Sequence, residues 1–231
     1  MKSLAVLALS SSFAFALSAA GVQAQEVGDI GLVVRNGRIT TGSYDAFANF
    51  TPGRVFGATF GEVLPNFADE PGFDTILGAF NPASSIGFIV HGPVRTYNAV
   101  TTTFNAGPAP TVFQIGFGGG VVTPVLTPTT QTDVTGFSLQ VAADGTFHEH
   151  PEYTLPAGTL DGIYLLELSL FSSSPSVGAS EHFFMVFNQN RPVLEQVAAL
   201  AAAATLVPAP GSLATLLLTG GLAACRRRAA K

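Results

Sequence analysis

His148 and His150 stand two residues apart, the one place in this 231-residue chain where a strand spacing would bring two strong transition-metal donors together. Side chains alternate between the faces of a strand, so a His-x-His spacing puts both imidazoles on one side. Neutral imidazole nitrogens suit zinc, copper or nickel. A protein site needs at least a third donor about 2 Å from the same point. Asp144, Glu149, Glu152 and His182 are the candidates. His182 is expected first and Glu152 second, because strand pairing joins residues far apart in sequence. The competing reading is structural: Phe147 and Tyr153 flank the pair, as they would where histidines form a polar rim at a strand end.

Other constellations are weaker. The His pair is similar to the cupin metal motif, but that motif needs a Glu four or five residues later, and 151–156 offers only Glu152. Asp69, Glu70 and Asp74 surround Pro71-Gly72, first of all a turn. Their oxygens suit calcium, although the alternate-donor spacing of a calcium loop is absent. The glycines of 116–120 lack a following Lys and Ser/Thr, so a bulge or turn is expected there and phosphate binding is not. Ser180, in Gly-Ala-Ser-Glu-His, lacks the second glycine of a nucleophile elbow. No nucleophile and base are recognisably matched, so no catalytic residues are assigned. Sugar-stacking aromatics are sparse: there is no Trp, and the tyrosines are Tyr44, Tyr97, Tyr153 and Tyr164.

The elements that must carry these side chains read as strands. Candidates are 29–34, 38–41, 54–60, 85–91, 111–117, 121–126, 135–141, 163–171 and 183–187. Asn36-Gly37 between the first two tolerates the positive φ values of a tight hairpin. In 164–170, Leu166, Leu168 and Leu170 alternate with Leu165, Glu167 and Ser169, a period of two that predicts one buried face. No window of the middle region has a convincing helical period. Short strands separated by Gly and Pro turns predict an all-β, antiparallel β-sandwich, jelly-roll-like, over residues 25–190. Seventeen of the nineteen Phe lie in it and are expected as core.

Charge narrows the partners. All 15 acidic residues but only five basic ones fall between Gln25 and Cys225, leaving that segment at −10 against −5 for the whole chain. Nucleic acid, which needs Lys and Arg to displace its counterions, is excluded as a partner. The single cysteine, Cys225, lies in an apolar tail, so the β-domain has no disulfide framework and must rest on core burial.

Both ends look like processing segments. Residues 1–24 order a positive start, an apolar run and a small-x-small site, the pattern of a secretory signal cut between Ala24 and Gln25 by signal peptidase. The end carries Val207-Pro208-Ala209-Pro210, fifteen uncharged residues over 211–225, then Arg226, Arg227 and Arg228. Arginines beyond an apolar run stay on the cytoplasmic side, which leaves the preceding domain outside the inner membrane. Fifteen helical residues cover about 22 Å, short of the roughly 30 Å hydrocarbon core, so a transient anchor is expected. Residues 191–206 are read as an Ala-rich helical spacer ahead of this motif.

This three-part tail resembles the PEP-CTERM sorting signal that exosortase enzymes recognise in Gram-negative bacteria producing extracellular polysaccharide. Ala209 stands where that family's motif has Glu. Stretches at 29–37, 67–74, 147–150, 161–168 and 184–188 resemble all-β proteins carrying the same tail, a family without an assigned activity. The resemblance implies an exported protein, held at the inner membrane through 207–231 and then sorted to the cell surface or matrix. Its implied partners are an exosortase-type enzyme and extracellular polysaccharide. The expected function is structural or adhesive, without catalysis, the alternatives being a sugar- or metal-binding module and, behind that, a hydrolase.

Overall fold

The computed structural model describes residues 28–208. The expected signal segment with its Ala24–Gln25 junction, and Ala209, Pro210 and Arg226, Arg227 and Arg228 of the sorting motif, lie outside the described residues.

Fifteen strands and one helix follow in order. The first six are β1 (Ile30–Arg35), β2 (Arg38–Tyr44), β3 (Phe50–Pro52), β4 (Val55–Thr59), β5 (Phe67–Ala68) and β6 (Phe73–Asp74). Then come β7 (Ser85–His91), β8 (Arg95–Asn98), β9 (Thr103–Phe104), β10 (Gln114–Gly116), β11 (Val125–Leu126) and β12 (Asp133–Gln140). Last are β13 (Glu152–Thr154), β14 (Gly162–Ser172), β15 (Phe183–Gln189) and α1 (Val193–Ala204). All nine expected strands have a counterpart; β3, β5, β6, β8, β9 and β13 are additional. Asn36 and Gly37, with φ of 51° and 71°, close the β1–β2 hairpin as their types require.

The strands form a large sheet in the order β12-β7-β14-β15-β4, with β8 beside β14, and two four-stranded sheets, β3-β2-β1-β6 and β11-β10-β13-β5. The protein is thus mostly β, as expected. One expectation needs correction: the sheets are not wholly antiparallel. β15 pairs parallel with β4, and β1 pairs parallel with β6. Parallel neighbours need a long connection; the chain supplies it by running through most of the domain between β4 and β15.

One core lies between the inner face of the large sheet and the two smaller ones. It holds Leu166, Leu168 and Leu170 of β14, Phe183, Met185 and Phe187 of β15, Ile30 and Leu32 of β1, and Ile115 and Tyr153 of β10 and β13. Phe60 stacks on Phe187, and Phe113 meets both edge-on, so phenylalanine fills this core as composition suggested.

The outer face of the large sheet is covered as well, which corrects the one-buried-face reading of β14. Leu165 packs under α1 with Phe184 and Val186, while Glu167 and Ser169 sit beneath a layer of polar side chains. The expected spacer is helical, but it is also part of the packed body. Ala199, Leu200 and Ala203 are buried, and Gln196 donates to the Ala58 carbonyl and accepts from Asn188. Among the described residues no helix is long and apolar enough to cross a membrane.

Candidate metal centre

The fold brings three distant segments to one cleft, and β6 is the reason. On one side β6 pairs with β1, matching Ile30 with Phe73. On the other side Phe73 pairs with Glu149 through both backbone hydrogen bonds. Asp29, which precedes β1, therefore faces His148 and His150, which flank Glu149. The histidines do not lie on a regular strand, yet this single bridge imposes the same alternation, and both rings emerge on one side. The preceding turn is fixed by Gly145, whose φ of 81° favours glycine, and by Phe147 N–H donating to Thr75. Asp144 accepts from Thr146 N–H and Oγ1 in that turn, which lowers its carboxyl pKa and occupies it.

The partners of the two imidazoles define their tautomers. His148 Nδ1 lies 3.1 Å from Asp74 Oδ1, and His150 Nδ1 lies 3.1 Å from the Asp69 carbonyl oxygen. A carboxylate and a carbonyl only accept, so each Nδ1 carries a hydrogen, and a ring in its neutral form then presents a bare Nε2. Those two Nε2 atoms face each other at 3.1 Å. The Asp29 oxygens are 3.8 Å from His148 Nε2 and 3.7 Å from His150 Nε2. Two ring nitrogens and a carboxylate thus converge, an arrangement satisfied by a proton shared between the rings or by a metal ion among the three residues. Nitrogens bound to one tetrahedral zinc at 2.0–2.1 Å are about 3.3 Å apart, close to the separation already present. Imidazoles held from behind by a carboxylate and a backbone carbonyl are the usual second layer of a metal site.

Supporting contacts fix the set. Gly72 N–H donates to Asp29 Oδ1 at 3.0 Å and to Glu70 Oε2 at 3.3 Å. A Cβ on Gly72 would lie 2.7 Å from His150 Nδ1, so only glycine lets the ring lie against this loop. Burial raises the Glu70 carboxyl pKa, His150 and the Gly72 N–H oppose the rise, and Asp29 adds to it. Burial likewise raises Glu149, against the pull of both histidines. The donors open on a cleft of about 490 Å³, walled by Gly57, Ala58 and Thr59 of β4 and by Glu62.

The two candidate sets of the sequence are therefore one. Glu70 is 3.5 Å from His150 Nδ1 and Asp74 is bonded to His148, so the acidic turn forms the layer behind the histidines. The expected third ligands are elsewhere. Glu152 turns away to accept from Gly119 N–H, in the turn where 118–120 all have positive φ. His182 lies on the outer face of the large sheet, its Nδ1 2.8 Å from Glu167 and its ring stacked on His91 at 3.8 Å. Asp29 takes their place, a residue whose only sequence signal was its position at the head of a strand.

The second histidine cluster has no converging ring nitrogens. His91 Nδ1 meets Asp133 at 3.1 Å and Nε2 meets Ser169 Oγ at 2.8 Å. The contact order Asp–His–Ser is that of a hydrolytic triad, but Ser169 is only 4% exposed beneath the rings, out of reach of a substrate. Ser180 is equally structural: its hydroxyl accepts from Leu170 N–H and donates to the Glu181 carbonyl.

No family model matches the chain, and no curated protein matches it. Among solved structures it is similar to the CooA pilin subunit of enterotoxigenic Escherichia coli, with a TM-score of 0.29 and 9% identity over 66% of this chain and 99% of that one.

Proposed function

We propose that the protein is an exported, surface-sorted β protein without catalytic activity, whose domain holds one divalent transition-metal ion at Asp29, His148 and His150. The metal reading rests on one observation: two imidazole Nε2 atoms 3.1 Å apart beside a carboxylate, each ring anchored through its Nδ1. Two nitrogen donors and one oxygen favour zinc, copper or nickel over calcium or magnesium, which prefer all-oxygen shells. Calcium at Asp69, Glu70 and Asp74 is disfavoured, since two of those carboxylates already face imidazoles.

Export and sorting rest on the two ends of the sequence. Signal peptidase would cut after Ala24, and an exosortase-type enzyme would act near Val207-Pro208-Ala209-Pro210 once residues 211–225 had entered the inner membrane. Mass spectrometry of surface material should then find a chain starting at Gln25 and lacking Arg226, Arg227 and Arg228; an intact arginine cluster would refute the processing step. A matrix or adhesive role beside extracellular polysaccharide fits this route.

Calorimetry with zinc, copper and nickel on the chain tests the metal. One ion per molecule is expected for at least one of them, and Asp29→Ala should weaken it. An absence of heat with all three, confirmed by metal-free protein after dialysis, would end the proposal.

A further inference from the structure

Helix α1 is apolar on both sides, and only one side is covered. Gln196, Ala199, Leu200 and Ala203 face the sheet. The opposite stripe is Leu194, Val197, Ala198, Ala201 and Thr205, all exposed, with Leu194 at 83%. Of the thirteen exposed large apolar side chains among the described residues, Val193, Leu194, Val197 and Leu206 fall within fourteen positions, while the others scatter over loops and short strands. A solvated surface helix places charges on its outer stripe. Here the only charge in the helix is Glu195, on its flank and paired with Arg191 at 2.7 Å; none follows until Arg226.

We infer that this stripe lies on the surface of a lipid bilayer. What selects a bilayer over a second copy is the chain that follows. Val207 still packs against the cluster under α1, so the body holds the chain up to that point. Only 208–210, two of them proline, separate it from the apolar run at 211–225. The four steps from Val207 to Gly211 reach about 14 Å at most. If 211–225 is in the membrane, the domain has no slack to stand off, and α1 is the element held nearest the lipid. An uncharged stripe on this acidic domain is also one that anionic headgroups would not repel. Small side chains here give a shallow seat in the headgroup region, about 5–10 Å deep, as for other interfacial helices.

The inference rests on the tail being a membrane segment, and the lone cysteine allows the two to be tested apart. The full chain is reconstituted into vesicles of phosphatidylethanolamine and phosphatidylglycerol carrying a lipid-borne quencher. One sample is labelled with a fluorophore at Cys225; others carry Cys225→Ser with Val197→Cys, Ala201→Cys or, as an exposed loop reference, Thr101→Cys. All three are surface positions, where labelling spares the core. Cys225 is expected to be quenched, with Val197→Cys and Ala201→Cys quenched roughly twofold more than Thr101→Cys. A quenched Cys225 with helix positions like Thr101→Cys would overturn the inference and leave the anchor standing. An unquenched Cys225 would overturn both. Helix signals that vary with protein density at fixed lipid would assign the stripe to a second copy instead, and overturn it as well.

Discussion

The two histidine pairs are built from the same side chains and reach opposite ends. His148 and His150 meet nitrogen toward nitrogen, with a carboxylate alongside. His91 and His182 meet face to face, and Asp133, Ser169 and Glu167 occupy three of their four nitrogens. The first pair concentrates unshared electron density; the second spends it on neighbours. Two histidines in contact are therefore a site only when their nitrogens converge. The first pair should govern binding and the second stability.

The largest effect that would break this contrast is on metal uptake. His148→Ala with His150→Ala should abolish stoichiometric binding in equilibrium dialysis, whereas His91→Ala with His182→Ala should leave one ion bound. Binding by the first double variant, or loss in the second, would reverse the assignment. Because ligating imidazoles must be unprotonated, acid should also release the ion; uptake that is indifferent to pH would point to a carboxylate-only site.

Asp74→Asn comes next. It keeps a side chain behind His148 but removes the charge, and second-layer changes of this kind cost roughly 10–100-fold in metal affinity. Titration should show weaker binding at unchanged stoichiometry. An unaltered affinity would mean that His148 needs no anchor.

Smaller effects fall on the other pair. His91→Ala leaves the buried Ser169 hydroxyl without its partner, which costs about 1–3 kcal/mol; denaturant unfolding should show it, with metal affinity intact. His182→Ala removes one ring of the stack and its bond to Glu167, a loss of about 0.5–1.5 kcal/mol. If His148→Ala destabilises the metal-free protein more than either, the division between binding and stability fails.

Local pattern carried much of the fold. Ser85–His91 coincides with its expected range because a short, mainly apolar run there is bounded by turn residues. Short strands such as β6 and β13 were invisible, since two or three residues show no period. The parallel pairings were invisible for another reason: nothing in 55–59 marks a partner at 184–188. The site was legible in fragments. The His pair and the acidic turn each stood out, but their union depends on the Phe73–Glu149 bridge, and Asp29 is one carboxylate with no motif around it. His182 misled because a strand's sequence does not say which face of which sheet it will join. The covering of β14 by α1 was hidden by the same ambiguity, as Ala-rich sequence serves equally for a spacer and for close packing.

The parallel pairing of β4 with β15 also has a consequence in time. Val55 finds its partner at Phe184, so the large sheet cannot close until nearly the whole domain is available. Contacts of such high sequence separation must offset a large loop-closure entropy before they stabilise anything, and they slow folding. A chain made from its N-terminus would hold β4 without its distant partner through most of synthesis. If the chain is exported as proposed, slow closure would keep the domain unfolded long enough for threading through a narrow export channel, with the last strand and α1 completing the body on the far side.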